Sequence, residues 1–213
     1  MKRVLIIDAQ PLMREALRLV VRSVWSSAVI VEAGDHAEAE RACLCGMAFD
    51  LVVLDTALPD TTGLSSLIML KSLLPHTPIV IFSSSRDPQV AASSYILGAA
   101  GQAPKSALMS EVAGTLKKAA SGERVFIAAE QLTGSALDLQ QARSRLSVLS
   151  PAQMRVLVNI ASGRLNKKVA ADMNVTEATI KAHMTAIFRK LRVMNRSQAI
   201  LAVQPLLGER LAA

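Results

Sequence analysis

Over roughly the first 120 residues, short apolar runs alternate with stretches of helical period. Val4–Ile7, Leu51–Leu54 and Ile79–Phe82 are apolar throughout, as strands are when both faces of their sheet are covered. Val29–Glu32 reads as a further strand and Ala99–Ala103 as a weak fifth. The intervening pattern predicts helices over Leu12–Val24, His36–Leu44, Gly63–Leu74, Pro88–Leu97 and Ala107–Ala120. In the first, Leu12, Ala16, Leu19 and Val20 fall near one face, and Asp35 stands where it can cap the second. Strand–helix units in series specify a doubly wound α/β domain with a parallel sheet, in the order 2-1-3-4-5. Ligands of such sheets meet the carboxyl ends of the strands. Asp8, Asp55, Ser83 and Lys105 each follow a strand, so the topology predicts that they share one edge.

After Leu149-Ser150-Pro151 the pattern is purely helical. Ser150 and Pro151 open a helix that Gly163 ends. Asn166 is placed to cap a short helix over Lys167–Met173, and Thr176 caps a long basic helix from Glu177 to about Arg192. A last helix covers Arg196–Val203, with Pro205 as its stop. The middle pair, joined by a tight turn at Asn174-Val175, describes a helix-turn-helix. The chain therefore divides into an α/β domain (1–121), a linker (122–147) and an all-α four-helix domain (148–213). Within the linker, Gln131–Arg145 suits either a mobile segment or a short helix.

Charge sharpens this division. The net charge is +7. Residues 1–147 hold 14 Lys/Arg and 14 Asp/Glu, whereas residues 148–213 hold 10 and 3. The whole excess lies on the helical domain, which suits a polyanionic partner. No apolar run approaches the ~20 residues that cross a bilayer, and the stretch after Lys2-Arg3 stops at Asp8, too soon for a secretory leader. A cytoplasmic protein is expected. Cys43 and Cys45 lack the further Cys or His that a zinc site needs. Dinucleotide, Walker and nucleophile-elbow motifs are absent, which argues against an enzyme. A pure interaction adaptor is the better alternative, and the basic excess argues against it.

The segments Leu149-Ser150-Pro151, Ala161-Ser162-Gly163-Arg164-Leu165-Asn166-Lys167-Lys168-Val169-Ala170, Thr176-Glu177-Ala178-Thr179-Ile180-Lys181-Ala182-His183 and Asn195-Arg196-Ser197-Gln198-Ala199 resemble a LuxR-type DNA-binding domain. The N-terminal part resembles a response-regulator receiver, and the whole chain resembles a NarL/FixJ-family response regulator. This resemblance implies that the Thr176–Arg192 helix enters the major groove of double-stranded DNA. Thr179, Lys181, Ala182 and Thr185 would face the DNA, with Lys181 the strongest single contact. The backbone N–H groups where Asn166 and Lys167 begin their helix would suit a phosphate, and Arg189, with Lys190, Arg192 and Arg196, would attract phosphate by charge. The last helix would form a homodimer contact through Ile200 and Leu201, with Val203 adding apolar surface.

The resemblance also implies that Asp55 is a phosphoacceptor served by a sensor histidine kinase, with Asp8, Ser83 and Lys105 completing the pocket. Asp8, Asp55 and the Ala57 carbonyl would hold Mg²⁺. Two departures stand against this. Ala9 occupies the place of a second acid that normally ligates the metal, and Gln102 that of a switch aromatic. Two expectations follow: control by phosphorylation at Asp55 with a weakened metal site, or an atypical receiver governed by dimerisation, a partner protein or a ligand.

Overall fold

A computed structural model of the chain describes residues 1–85, 87–126, 141 and 144–207. Most of the stretch 131–145, where a mobile segment and a short helix were equally compatible with the sequence, lies outside the described residues.

Branched aliphatic runs become strands β1 (Arg3–Ile7), β2 (Val29–Ala33), β3 (Leu51–Leu54), β4 (Ile79–Ser83) and β5 (Gly101–Pro104). They form one parallel sheet in the order β2-β1-β3-β4-β5. Period-two alternation splits their side chains between two cores. Val4, Ile6, Leu51, Val53, Val80 and Phe82 meet α1 (Pro11–Val24) and α5 (Met109–Ala120). Leu5, Ile7, Val52, Leu54, Ile79 and Ile81 face the opposite layer. That layer holds α2 (His36–Leu44), α3 (Ser65–Leu73) and α4 (Pro88–Ile96). Asp35 caps α2 as expected, accepting a hydrogen bond from Glu38 N at 2.7 Å.

Two local features depart from the sequence pattern. On α1 the buried residues are Leu17, Val20 and Val21, while Leu12 is 78% and Leu19 57% exposed. The helix is turned so that Met13, Leu17, Val20 and Val21, at spacings of three and four, meet the sheet. The fifth strand begins at Gly101, later than expected, and is bridged in parallel by Val125. A Cβ at Gly101 would lie 2.9 Å from the Val125 carbonyl oxygen, so only glycine permits that approach.

The helical domain comprises α6 (Pro151–Ala161), α7 (Asn166–Asp172), α8 (Glu177–Leu191) and α9 (Arg196–Leu207). A capping box joins Ser150 and Gln153 at the start of α6, and Gly163, with φ near +84°, ends it. Thr176 caps α8 through Thr179 N. Asn166 is not the cap of α7. Leu165 holds that position, without a side-chain hydrogen bond, and Asn166 is the first helical residue. Pro205 does not end α9, which continues to Leu207.

The two domains share a continuous apolar core. Leu67, Ile68, Met69 and Leu70 of α3 belong to the same buried cluster as Met154, Val156, Leu157 and Val158 of α6, and α3 packs directly on α6. Polar links flank this contact. Arg155 donates to Glu40 Oε2 at 2.7 Å, and Arg164 donates to the Asp60 carbonyl oxygen at 2.6 Å. The Asp60 side chain accepts from the backbone N–H groups of His36 and Ala37, each at 2.9 Å, which fixes the start of α2. His36 is buried beside them, with Nδ1 2.8 Å from Ser66 Oγ.

Two outcomes follow from this architecture. Leu17→Ala should destabilise by about 2–5 kcal/mol, because a cavity opens under α1. Leu12→Ala and Leu19→Ala should stay within about 0.5 kcal/mol in urea unfolding. The second outcome concerns pH. Burial pushes the His36 imidazole down to about 4, and Arg155 and Arg164 add to this while Asp60 and Asp35 oppose it. The unfolded chain, with its histidine near 6.5, takes up a proton that the folded chain refuses, so stability falls as pH drops from 6.5 towards 4. His36 alone should remove about 2 kcal/mol between pH 7 and 5. The slope should flatten by that amount in His36→Gln.

Candidate functional site

Each pocket residue is placed by the backbone that continues its strand's ladder. Asp8 N donates to the Ala33 carbonyl at 3.1 Å, Asp55 N to that of Ile7 at 2.8 Å, and Lys105 N to that of Ser83 at 3.0 Å. The four side chains therefore converge at the carboxyl edge of the sheet, as the order of strands implied. Asp8 is 0%, Asp55 2% and Ser83 2% exposed.

Lys105 joins the two acids. Its Nζ lies 2.7 Å from Asp8 Oδ2 and 2.8 Å from Asp55 Oδ2. The Asp55 contact is also a hydrogen bond, whereas the Asp8 contact has ion-pair distance without hydrogen-bond alignment. Burial works against the ammonium charge, but the hydrogen bond to Asp55 and the charges of Asp55 and Asp8 outweigh it, so Lys105 is held above its ordinary range. The remaining carboxylate oxygens are also occupied: Gln10 N donates to Asp8 Oδ1 at 2.8 Å and Ala57 N to Asp55 Oδ1 at 3.1 Å.

Ser83 has a neighbour that the sequence reading missed. Its hydroxyl lies 3.0 Å from Thr56 Oγ1 and accepts from Ser85 N at 3.2 Å. Thr56 directly follows Asp55, and only the tertiary fold brings it to Ser83.

A divalent cation fits this donor set poorly. Mg²⁺ requires near-octahedral oxygen coordination, but Ala9 supplies no side-chain oxygen, and Asp8 and Asp55 both bind Lys105. Among the described residues no three His, Cys, Asp or Glu side chains gather into a metal site. Gln102 lies on β5, its N–H donating to the Val125 carbonyl at 2.9 Å. Its buried Oε1 has no partner among the described residues. Nearby, Tyr95 and Phe126 stack edge to face with centroids 5.3 Å apart, and Arg124 lies over the Tyr95 ring.

On the helical domain, α8 has two distinct faces. Ile180, Met184 and Ile187 anchor it within the domain. Ala178, Lys181, Ala182, Thr185 and Arg189 form an exposed stripe at spacings of three and four. Thr179 is half-buried, with its hydroxyl 2.9 Å from that of Thr176. Thr185 donates back to the Lys181 carbonyl at 3.1 Å, leaving its oxygen free as an acceptor. Several basic residues expected at phosphate are committed inside the domain. Lys190 donates to the Val148 carbonyl and to Gln153, and Arg196 to Asn166 Oδ1 and the Arg164 carbonyl. Arg192 adopts the left-handed conformation that closes α8. Lys167 and Arg189 remain exposed. On α9, Leu201 is 64% exposed, Ile200 is half-buried and Val203 is fully buried in its own domain, so Val203 adds no outer surface. Cys43 is a half-buried thiol that burial pushes up to about 11, and Cys45 is exposed.

Comparison with known proteins agrees with this geometry. Residues 4–117 match the response regulator receiver domain, and residues 147–203 match the bacterial regulatory proteins of the luxR family. The chain is 32% identical over 209 residues to the glycerol metabolism activator of Pseudomonas putida, covering 95% of each. It is 27% identical over 205 residues to the nitrate/nitrite response regulator protein NarL of Escherichia coli, covering 94% of each. The fold is also that of RcsB from Salmonella enterica serovar Typhimurium, solved bound to promoter rprA with the phosphomimetic BeF3-. That likeness has a TM-score of 0.52 at 19% identity and covers 95% of this chain and 98% of RcsB. A receiver edge joined to a helix-turn-helix, matched along nearly the whole chain, makes this protein a NarL/FixJ-family response regulator, a DNA-binding regulator of transcription.

Proposed function

We propose that the chain binds duplex DNA as a homodimer, laying α8 in the major groove. The observation that carries this reading is the exposed stripe of Lys181, Ala182, Thr185 and Arg189, set on a domain that holds the chain's positive excess. Lys181 reaches a guanine edge or a phosphate, and Ala182 is short enough to meet a thymine methyl. Thr179 and Thr185 contribute hydroxyl oxygens at the same face. The backbone N–H groups that open α7 at Asn166 and Lys167 suit a phosphate, and Lys167 and Arg189 draw it by charge, a salt-dependent term blind to sequence. Leu201, with Ile200 beside it, supplies the apolar contact of a two-fold dimer, whose target would carry paired half-sites about one DNA turn apart.

At the receiver, Asp55 is the phosphoacceptor for a sensor histidine kinase. A carboxylate oxygen of Asp55 forms the bond to phosphorus as the donor's phosphorus–nitrogen bond breaks. Lys105 offsets the charge, and Ser83 turns its hydroxyl from Thr56 to the phosphoryl oxygen. A second reading is favoured by the double ion pair of Lys105 and the absence of an acid at Ala9. In it, Asp55 stays unmodified and the receiver responds to dimerisation, a partner protein or a ligand.

Lys181→Ala should weaken binding to a duplex selected by this chain from a random pool by roughly 1–3 kcal/mol, with the circular dichroism spectrum unchanged. Wild-type affinity should also fall steeply between two salt concentrations. Unchanged affinity in Lys181→Ala would refute the assignment of that contact. Beryllofluoride with Mg²⁺ separates the two receiver readings. Tighter dimerisation and DNA binding in wild type, absent in Asp55→Ala, supports the acceptor. An unresponsive wild type, with Asp55→Ala binding DNA normally, leaves the second reading.

A further inference from the structure

We infer that the docked arrangement of the two domains is the form that binds DNA, with α6 and the turn at Arg164 bracing the helical domain on the receiver. The inference rests on α8 as the reading helix.

The first observation is the burial of α3. Ser65, Ser66, Leu67, Ile68, Met69 and Leu70 are successive residues, and each is 5% exposed or less. A helix lying on a sheet buries one stripe and turns the other to water. Here the outer side is covered too, because α6 lies across it. Undocking would return Ile68, Met69 and their neighbours on α6 to water, against the hydrophobic driving force.

The second observation is that the links between the domains come from one side of the helical domain. Arg155 on α6 meets Glu40, and Arg164 in the following turn meets the Asp60 carbonyl. Glu40 and Arg155 are largely withdrawn from solvent, with side chains 13% and 18% exposed. Arg164 is shared further: its guanidinium also holds Asp172, and its own carbonyl accepts from Arg196. The brace is therefore continuous with the groups that fix the starts of α7 and α9.

The third observation is what the interface leaves free. Lys181, Ala182, Thr185 and Arg189 are all exposed while the domains are docked. Among the described residues none of the four has a hydrogen bond or ion pair to the receiver. Opening the interface would cost buried apolar contact without uncovering any of these groups.

Amide hydrogen exchange on the full-length chain tests this, with and without a duplex that the chain selects from a random pool. The amides of Leu67–Leu70 should keep their protection within about twofold on binding, while Lys181–Arg189 gains protection. A rise in α3 exchange of about tenfold or more on binding would overturn the inference. Bound duplex without protection of α8 would instead fail the reading-helix assignment. A locked chain gives an independent measurement. Glu40→Cys and Arg155→Cys, in a Cys43→Ala, Cys45→Ser background, can be joined by a disulfide-containing bis-maleimide. Affinity for the same duplex should agree within about threefold before and after the tether is reduced. A loss of about tenfold that reduction relieves, or failure of the tether to form within one chain, would overturn it.

Discussion

The parallel ladder of the sheet is the constraint on which the site depends. Because β1, β3, β4 and β5 all point one way, the residue after each strand emerges at the same edge. Backbone bonds from Asp8, Asp55 and Lys105 to the neighbouring strand extend the ladder by one step and set the start of each side chain. Two buried carboxylates at such an edge would repel. Lys105, placed between them, turns that repulsion into two ion pairs. Removing one partner from a buried cluster of this kind strands a charge in a poorly solvated place. The pocket is therefore held as a unit.

Most of this was legible in the sequence because it follows from period and order. Apolar runs gave the strands, and serial alternation with helices gave the topology. The residue after each run marked Asp8, Asp55, Ser83 and Lys105. What escaped the sequence is what depends on orientation within an element. Leu12 and Leu19 look like core residues by type, yet the rotation of α1 leaves them outside. Lys190 and Arg196 look like free cations by charge, yet each finds one backbone carbonyl and one side chain in its own domain. Asn166 has a capping side chain, but its oxygen accepts from Arg196 while Leu165 takes the cap position.

The contact between domains was also invisible in one dimension. His36, Glu40 and Asp60 read as ordinary residues of a helix and a loop. Glu40 and Asp60 meet Arg155 and Arg164, which lie 115 and 104 residues away respectively, and His36 is buried beside Asp60. One clue existed: α3 is apolar around more of its circumference than a one-sided helix requires. That surplus is what α6 covers.

The absence of an acid at Ala9 and the arrangement of Lys105 are two sides of one charge balance. Two carboxylates against one ammonium leave a single net negative charge at the sheet edge. A third carboxylate would leave two, the charge that a divalent cation neutralises. With Ala9 the edge keeps a single net negative charge, and the Lys105 ammonium lies between the two acids. An incoming phosphoryl group would then compete with Asp8 and Asp55 for the same ammonium, so a response at this pocket has to draw on Lys105 before it can reach Ser83. Were Asp55 phosphorylated, the response would turn on how readily Lys105 leaves Asp8 and the Ser83 hydroxyl leaves Thr56.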